Sequence, residues 1–172
     1  MPQDSTIIFK CNGHFIDVSK EDIEEELFAY HRHITDDYDH IIEISPRPTP
    51  RPRAVSRKMG DKHVANVYHP SEYTKYKKDI ASLLKMKRVP KGNYSSVFVT
   101  FYLPYPKSTP KKRFVEGAKH QKKPDWDNFI KGFQDALSDA GILLGDDGKV
   151  SDGAVRKRMT TQPYGFIKFN LL

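Results

Sequence analysis

The sequence lacks the features that mark secreted and membrane proteins. Its single cysteine, Cys11, among 172 residues cannot form an internal disulfide, which fits a reducing compartment. No apolar run is long enough to span a bilayer, and the mean hydropathy is −0.68. The first ten residues do not combine a basic start with an apolar stretch, as a signal peptide would. These absences predict a cytoplasmic protein without a membrane partner.

Motifs of several common enzyme classes are absent too. The chain contains no G-x-x-x-x-G-K loop, C-x-x-C pair, H-E-x-x-H helix or G-x-S-x-G turn. Nothing therefore indicates a P-loop nucleotide hydrolase, a thiol or zinc-ribbon site, a zinc peptidase or a serine hydrolase of those types. His31 and His33 lie two residues apart, but without further ligands they are interpreted as surface residues of a helix.

Charge is abundant and is unevenly divided along the chain. Residues 1–39 hold three basic and ten acidic residues, for a net charge of −7, whereas residues 40–172 carry a net charge of +14. A body this basic suits binding to a polyphosphate such as nucleic acid. A soluble domain with a charged surface, or a binder of acidic partners, would have a similar composition.

Residues 1–39 are expected to form a small acidic ββα extension. An Asn12-Gly13 pair between two apolar stretches predicts a β-hairpin over residues 6–18. Ser19 then precedes a helical pattern with four apolar residues on its inward side: Ile23, Leu27, Tyr30 and Ile34. The unit has too few apolar residues for an independent core. Packing on the main domain, self-association, masking of the basic surface and binding of a protein partner all fit it.

Residues 40–172 are expected to form the main domain, a mixed β-sheet with helices packed on it. Five segments have the composition of strands: residues 41–45, 64–68, 95–103, 153–160 and 166–172. The third is apolar enough to be central, and the last two are expected to pair as a hairpin. One helix, capped by Ser71, should bury Tyr73, Tyr76, Ile80, Leu83 and Leu84. The fold class is therefore α+β (mixed α/β).

Two long basic segments interrupt this pattern. Residues 46–62 begin with four prolines that hold the backbone extended, so a stiff basic arm is expected there, and residues 104–123 form a second basic loop. Both are interpreted as electrostatic contacts to nucleic acid, although solvated disordered loops have the same composition. The candidate DNA-binding residues are Arg47, Arg51, Arg53, Arg57, Lys58, Lys111, Lys112, Arg113, Lys122 and Lys123.

The stretch from Lys122 to Asp147 concentrates carboxylates around one helix. Apolar residues at helical spacing predict a helix that begins near Asp127, its expected N-cap, and ends at Gly141. Asp125 would lie in the extended approach to this helix. Because residues two apart in an extended segment point the same way, the carboxylates of Asp125 and Asp127 can converge.

Further charged groups accompany this pair. Lys131 lies one turn beyond Asp127, and Asp146 and Asp147 follow the helix. Clustered carboxylates suit Mg²⁺, which would polarise a phosphoryl oxygen and activate water for phosphodiester hydrolysis, with Lys131 stabilising charge on the phosphate. Each motif alone has a simpler explanation: capping for the first aspartates, an ion pair of Lys131 with Asp127 or Asp135, and a turn at Asp146-Asp147. Their coincidence around one helix favours the metal site.

At these residues the chain resembles the RusA family of Holliday-junction resolvases. The shared pattern is a basic lead-in, D-x-D-N, a lysine four residues later, D-A-L, A-G and an acidic pair, all present between residues 122 and 147. The resemblance covers roughly residues 40–172, and residues 1–39 have no counterpart in it. It implies catalytic roles for Asp125, Asp127, Lys131 and Asp147. It implies metal ligation by Asp125, Asp127 and Asp147, and it matches Asn128 to the adjoining asparagine of the family.

The position of the third carboxylate follows from the spacing of the pair. Counting from Asp125 leads to Asp146, because one residue, interpreted as Gly145, is additional here. Asp147 is preferred because the pattern D-D-x-x-V-x-D through Asp152 is then kept. Asp146 remains the alternative ligand.

The resemblance implies a RusA-like fold and an Mg²⁺-dependent endodeoxyribonuclease, with Mn²⁺ as a substitute ion, encoded by a bacterium or its virus. It would act as a homodimer on four-way DNA junctions in recombination and repair, placing symmetric nicks in opposing strands. Recognition would rest on junction shape and on the basic surface rather than on base reading. Two alternatives are a non-catalytic DNA-binding recombination accessory protein and a flap nuclease or ribonuclease with the same metal chemistry.

Overall fold

The computed structural model describes residues 6–11, 14–59, 62–145 and 147–172. Within these ranges, side chains are described for residues 24–25, 27–56, 68–145 and 148–172. The chain divides into two compact units, Met1–Tyr38 and Asp39–Leu172. In the part of the chain that is described, no helix is long and apolar enough to cross a bilayer.

The first unit contains the hairpin and the helix expected from the sequence. Strands β1 (Thr6–Cys11) and β2 (His14–Ser19) pair antiparallel, with Thr6 opposite Ser19. The Asn12-Gly13 pair that predicted the turn lies outside the described residues. Helix α1 (Lys20–Ile34) follows directly after Ser19. The ββα order of this segment is confirmed.

The inward side predicted for α1 is wrong where side chains are described. Leu27, Tyr30 and Ile34 are 63%, 44% and 68% exposed, whereas Ala29 and His33 are buried. The interpretation of His33 as a surface residue is therefore wrong as well; the Tyr38 hydroxyl lies 2.5 Å from its Nδ1. Apolar periodicity could not identify His33 as buried, because histidine is polar and is buried only where a hydrogen-bond partner is present. That partner, Tyr38, lies beyond the end of the helix.

The second unit contains six strands and two α-helices in the described ranges. In chain order they are β3 (His40–Ile42), β4 (Arg53–Met59), β5 (Lys62–Tyr68), α2 (Ser71–Met86), β6 (Ser96–Pro104), α3 (Trp126–Asp139), β7 (Asp152–Thr160) and β8 (Phe166–Leu171). Four of the strands form a mixed sheet in the order β3-β8-β6-β7, and the other two form a separate hairpin. Helices packed on a mixed sheet confirm the α+β class.

Strand β6 is the centre of the sheet, as its composition predicted. All its residues from Val97 to Tyr102 are buried. It pairs parallel with β7 and antiparallel with β8. The expected hairpin of β7 with β8 is therefore wrong, because both strands pair with β6 instead of with each other. A fully buried strand has to satisfy the hydrogen-bonding groups of both its edges, and this need outweighs the adjacency of β7 and β8 in the chain.

The helices cover the sheet with aromatic side chains. In α3, the ring centroid of Phe129 lies 5.4 Å from that of Phe101 in β6, and that of Phe133 lies 5.0 Å from that of Phe169 in β8. Helix α2 buries Tyr73, Tyr76, Ile80 and Leu84 as expected, with Leu83 partly buried. Ser71 is the first helical residue and Pro70 holds the N-cap position, so the capping role predicted for Ser71 is wrong.

Only the first part of the basic arm expected at residues 46–62 lies outside regular secondary structure. Residues 46–52 lie outside any helix or strand, but β4 begins at Arg53 and pairs antiparallel with β5. The boundary has a physical cause, because proline cannot donate a ladder hydrogen bond and Pro52 is the last proline of the run. The second half of the arm is thus a two-stranded hairpin that joins the predicted strand at residues 64–68.

Candidate active site

Helix α3 begins one residue after Asp125, which holds the N-cap position with φ −70° and ψ 153°. The Asp125 side chain makes no capping hydrogen bond. Asp127 lies in the first turn, so its predicted role as the N-cap is wrong. Both aspartates are exposed. Capping therefore does not account for Asp125, and the positive end of the helix dipole favours carboxylates at this place.

Lys131 is exposed one turn beyond Asp127. Asp135, which was its alternative ion-pair partner, lies 3.7 Å from the ammonium of Lys77 in α2, and Asp139 lies 3.3 Å from the same ammonium. Within the described part of the chain, Lys131 forms no ion pair. The simpler explanation of Lys131 as half of an intrahelical ion pair is thus not seen, and its ammonium is available at the carboxylate end of α3.

Asn128 contacts both the Asp127 carboxylate and the main chain of the basic arm. Its side-chain Nδ2 lies 3.4 Å from Asp127 Oδ1, a long hydrogen bond. Its carbonyl oxygen accepts a hydrogen bond of 2.7 Å from the Thr49 amide. The proline-rich segment therefore contacts the first turn of α3, between Asp127 and Lys131.

Two tyrosines of α2 hold the same segment. The hydroxyl of Tyr73 lies 2.7 Å from Thr49 Oγ1, and the hydroxyl of Tyr76 accepts a hydrogen bond of 3.0 Å from the Arg47 amide. Burial raises the pKa of Tyr76 to about 12, so this hydroxyl stays protonated at neutral pH. The sequence predicted both rings as core residues, which is confirmed, but it gave no sign that their hydroxyls anchor the arm.

The second basic loop reaches α3 along the edge strand β7. The amide of Gly117 donates to Met159, that of Met159 donates to Ala118, and that of His120 donates to Lys157, at 2.7–3.2 Å. The loop is thus paired like a short additional strand up to His120. Asp125 follows five residues later, after the cis peptide bond between residues 123 and 124.

A lysine and a histidine that sequence reasoning missed lie beside this approach. Lys157 Nζ donates hydrogen bonds to the carbonyl oxygens of Lys122, at 2.9 Å, and Pro124, at 2.5 Å. Burial, followed by the charge of Lys157, lowers the pKa of His120. The Nδ1 atom of His120 is buried and finds no hydrogen-bond partner in the described ranges. No local motif marked either residue, since Lys157 lies in a strand remote from the helix in sequence.

The acidic pair after α3 is only partly described. Helix α3 ends before Gly141, whose φ of 68° suits glycine, as the sequence predicted. Hydrogen bonds of 2.9–3.0 Å then join Ile142 and Leu144 to Gly92. Asp147 starts a single 3₁₀ turn, Asp147–Lys149, and its side chain lies outside the described set, as does the whole of Asp146.

The donor set of the described residues fits part of a site for a hard cation. No group of three or more histidine, cysteine, aspartate or glutamate side chains arranged to hold a metal ion occurs among them. The carboxylates of Asp125 and Asp127 are nevertheless exposed oxygen donors of the kind that Mg²⁺ takes in small numbers alongside waters. These two side chains therefore offer part of the donor set of such an ion, and a third carboxylate placed to join them is not among the described residues.

The predicted DNA-binding residues share an exposed position wherever their side chains are described. These residues are Arg47, Arg51, Arg53, Lys111, Lys112, Arg113, Lys122 and Lys123. Arg57 and Lys58 belong to β4, with side chains outside the described set. Lys111–Arg113 form one 3₁₀ turn, and next to it the rings of Tyr105 and Phe114 stack at 4.3 Å. The second basic loop is therefore locally ordered.

Comparison with protein families shows what the chain is similar to. The family model described as Endodeoxyribonuclease RusA matches residues 43–169. The matched range contains α2, α3, the central strand β6 and all the carboxylates considered above. No curated protein shows a significant match to the sequence.

Gly132 should be essential to the contact between the arm and α3. An added Cβ would lie 2.5 Å from the Tyr73 hydroxyl and 3.1 Å from Thr49 Oγ1. We expect Gly132→Ala to destabilise the protein by about 1–3 kcal/mol in urea unfolding, because the buried tyrosine has to move and loses its hydrogen bond. Adding Tyr73→Phe should recover much of that loss, since the clashing hydroxyl is then gone. Additive losses in the double variant would contradict this account.

Proposed function

The chain belongs to the RusA family of endodeoxyribonucleases, which resolve Holliday junctions, and we propose that it cleaves four-way DNA junctions by paired, symmetric, Mg²⁺-dependent nicks. The observation that carries the proposal is the pair of exposed aspartates at the start of α3, the first without a capping bond. In this proposal residues 40–172 are the nuclease domain and residues 1–39 are an extension to it.

The metal is proposed to bind to carboxylates from both ends of α3. Asp125 and Asp127 supply two ligands, and Asp147 supplies the third, with Asp146 as the alternative. When bound, Mg²⁺ or its substitute Mn²⁺ polarises a phosphoryl oxygen and lowers the pKa of a coordinated water. Support comes from the exposure of the first two carboxylates and from the hard oxygen donors that they offer.

Lys131 and Asn128 are proposed to act beside these ligands. An ammonium without an ion pair in the described ranges, one turn from Asp127, suits stabilisation of charge on the scissile phosphate. The distance of 3.4 Å from Asn128 Nδ2 to Asp127 Oδ1 is long for a hydrogen bond, but a donor at this place suits a role in orienting that carboxylate. Asp125, Asp127, Lys131 and Asp147 are thus the proposed catalytic residues.

Binding is proposed to rest on the two basic segments and on two-fold symmetry. Both segments lead to the first turn of α3, one through Thr49 and the other through the approach to Asp125. Their exposed lysines and arginines suit phosphate contacts, which position a substrate without reading its sequence. Paired nicks in opposing strands of a two-fold junction require two sites, and a homodimer provides them.

Asp127→Asn should abolish nicking of a synthetic four-way junction while leaving binding intact or tighter. The substitution removes a ligand charge but also relieves repulsion between the site and DNA phosphates. Cleavage is followed on a denaturing gel with Mg²⁺, and binding by gel shift without divalent ions. Asp139→Asn is the matched control, because it changes the same helix at a carboxylate that pairs with Lys77. Wild-type cleavage by Asp127→Asn would show that the site assignment is wrong.

Replacing Arg51 and Arg53 with glutamine should weaken junction binding and flatten its dependence on salt. Each lost phosphate contact lowers the slope of log K against log salt by about 0.9, so the double variant should lose about 2 units if both arginines contact phosphates. Titrations at several salt concentrations provide the slope. Lys85→Gln, at the end of α2, serves as the control for loss of a surface charge. An unchanged slope would reduce residues 46–53 to a linker.

A further inference from the structure

Between His120 and Asp125 the chain leaves its pairing with β7 and crosses to the start of α3. Main-chain pairing ends at the hydrogen bond from the His120 amide to Lys157. In the described ranges, no main-chain to main-chain hydrogen bond then holds residues 121–123. The next contact is a side chain: Lys157 Nζ donates to the carbonyl oxygens of Lys122, at 2.9 Å, and Pro124, at 2.5 Å.

We infer that Lys157 is a positioning residue that sets the direction in which Asp125 presents its carboxylate. The inference rests on the proposed function of Asp125 as a ligand. The two carbonyls that Lys157 holds lie on either side of residue 123, and the second belongs to the residue directly before Asp125. Fixing both carbonyls fixes the peptide plane that leads into the N-cap.

The identity of the side chain suits this task. A lysine has three donors and no acceptor, and a charged donor makes shorter and stronger hydrogen bonds to carbonyl oxygens than a neutral donor does. Lys157 is partly buried, unlike the exposed lysines of the neighbouring loop. Burial, followed by the charge of Lys157, lowers the pKa of its neighbour His120.

A role for Lys157 in binding DNA phosphate makes different predictions. A phosphate contact would contribute to junction affinity and to the salt dependence of binding. A positioning role leaves both unchanged and acts on the alignment of Asp125, to which catalysis is sensitive, because misplacement by 1 Å costs about a hundredfold in rate. Measuring junction affinity and its salt dependence beside the cleavage rate therefore separates a phosphate contact from a positioning role.

The test compares Lys157→Met with Lys157→Arg and with Lys85→Met as the control. Lys157→Met should keep the junction dissociation constant and its salt slope, lower the single-turnover cleavage rate about tenfold to a hundredfold, and raise the Mg²⁺ concentration for half-maximal rate. Lys157→Arg should recover part of the rate, since a guanidinium also donates to two carbonyls. Lys85→Met should behave like the wild-type protein.

A second readout needs neither metal nor DNA. Trp126 is the only tryptophan of the chain, is 55% exposed and lies between the two aspartates. In Lys157→Met, amide hydrogen exchange of residues 125–131, around the first turn of α3, should accelerate because the start of the helix is held less firmly, and the fluorescence anisotropy of Trp126 should fall. Lys157→Gln, which keeps one neutral donor, replaces Lys157→Met if the latter does not fold.

Two results would overturn the inference. One is a variant with wild-type cleavage, Mg²⁺ dependence and amide exchange; the other is weakened junction binding with unchanged exchange, which would assign Lys157 to a phosphate contact. Failure of the proposed function is distinguishable, because it would appear as a wild-type protein that does not cleave junctions. The exchange and fluorescence measurements would still report on Lys157 in that case.

Discussion

Two carboxylates of like charge lie exposed at the start of α3, and much of the second unit can be understood from the constraint that like charges repel each other. Carboxylates side by side repel each other, and the helix dipole offsets only part of the repulsion. Among the described residues, no ion pair neutralises Asp125 or Asp127. Lys77 forms ion pairs with Asp135 and Asp139 toward the C-terminal end of α3. The ammonium of Lys157 donates hydrogen bonds to two main-chain carbonyl oxygens in the approach to Asp125. In the described part of the chain the carboxylates at the start of α3 therefore have no ion-pair partner, which is the basis of the proposed metal site.

The remaining packing fixes this end of the helix in space. Phe129 and Phe133 seat the opposite face of α3 on the central and neighbouring strands of the sheet. The proline-rich segment is held by α2 and reaches the carbonyl of Asn128, while the second basic loop runs along β7 toward Asp125. The first basic segment therefore contacts the first turn of α3 through Thr49, and the second leads directly into that turn. A polyanion bound along them would be led to the carboxylates, which ties the charge distribution of the chain to its chemistry.

The sequence predicted those parts of this arrangement that depend on local periodicity. The apolar stripe of α3 and the core positions of α2 follow from spacing, and the burial of β6 follows from its composition. All three are confirmed except at Trp126, which belonged to the predicted stripe of α3 but is 55% exposed. The RusA resemblance, confirmed by the family match, rested on the spacing of charged residues around α3. Each of these signals lies within one short stretch of the chain, so it can be recognised without knowing which distant residues pack against it.

Features that depend on competition between distant partners were not predictable in this way. Strands β7 and β8 do not pair with each other because each pairs with one edge of β6. Helix α3 starts at Trp126 rather than near Asp127, since Asp125, with its extended backbone, holds the N-cap position. The burial of His33 on α1 was also missed, because its hydrogen-bond partner Tyr38 lies beyond the end of the helix. Lys157 gave no signal at all, because its partners are main-chain carbonyls that any residue carries.

The most direct test of the central claim is cleavage of a four-way junction with a mobile core and end-labelled arms. Matched duplex and flap substrates are incubated with the protein under the same Mg²⁺ conditions. The account predicts nicks at symmetric positions in opposing strands of the junction, ligatable ends, and little cleavage of the duplex or the flap. Equal rates on all three substrates, or no Mg²⁺-dependent cleavage of the junction, would contradict it.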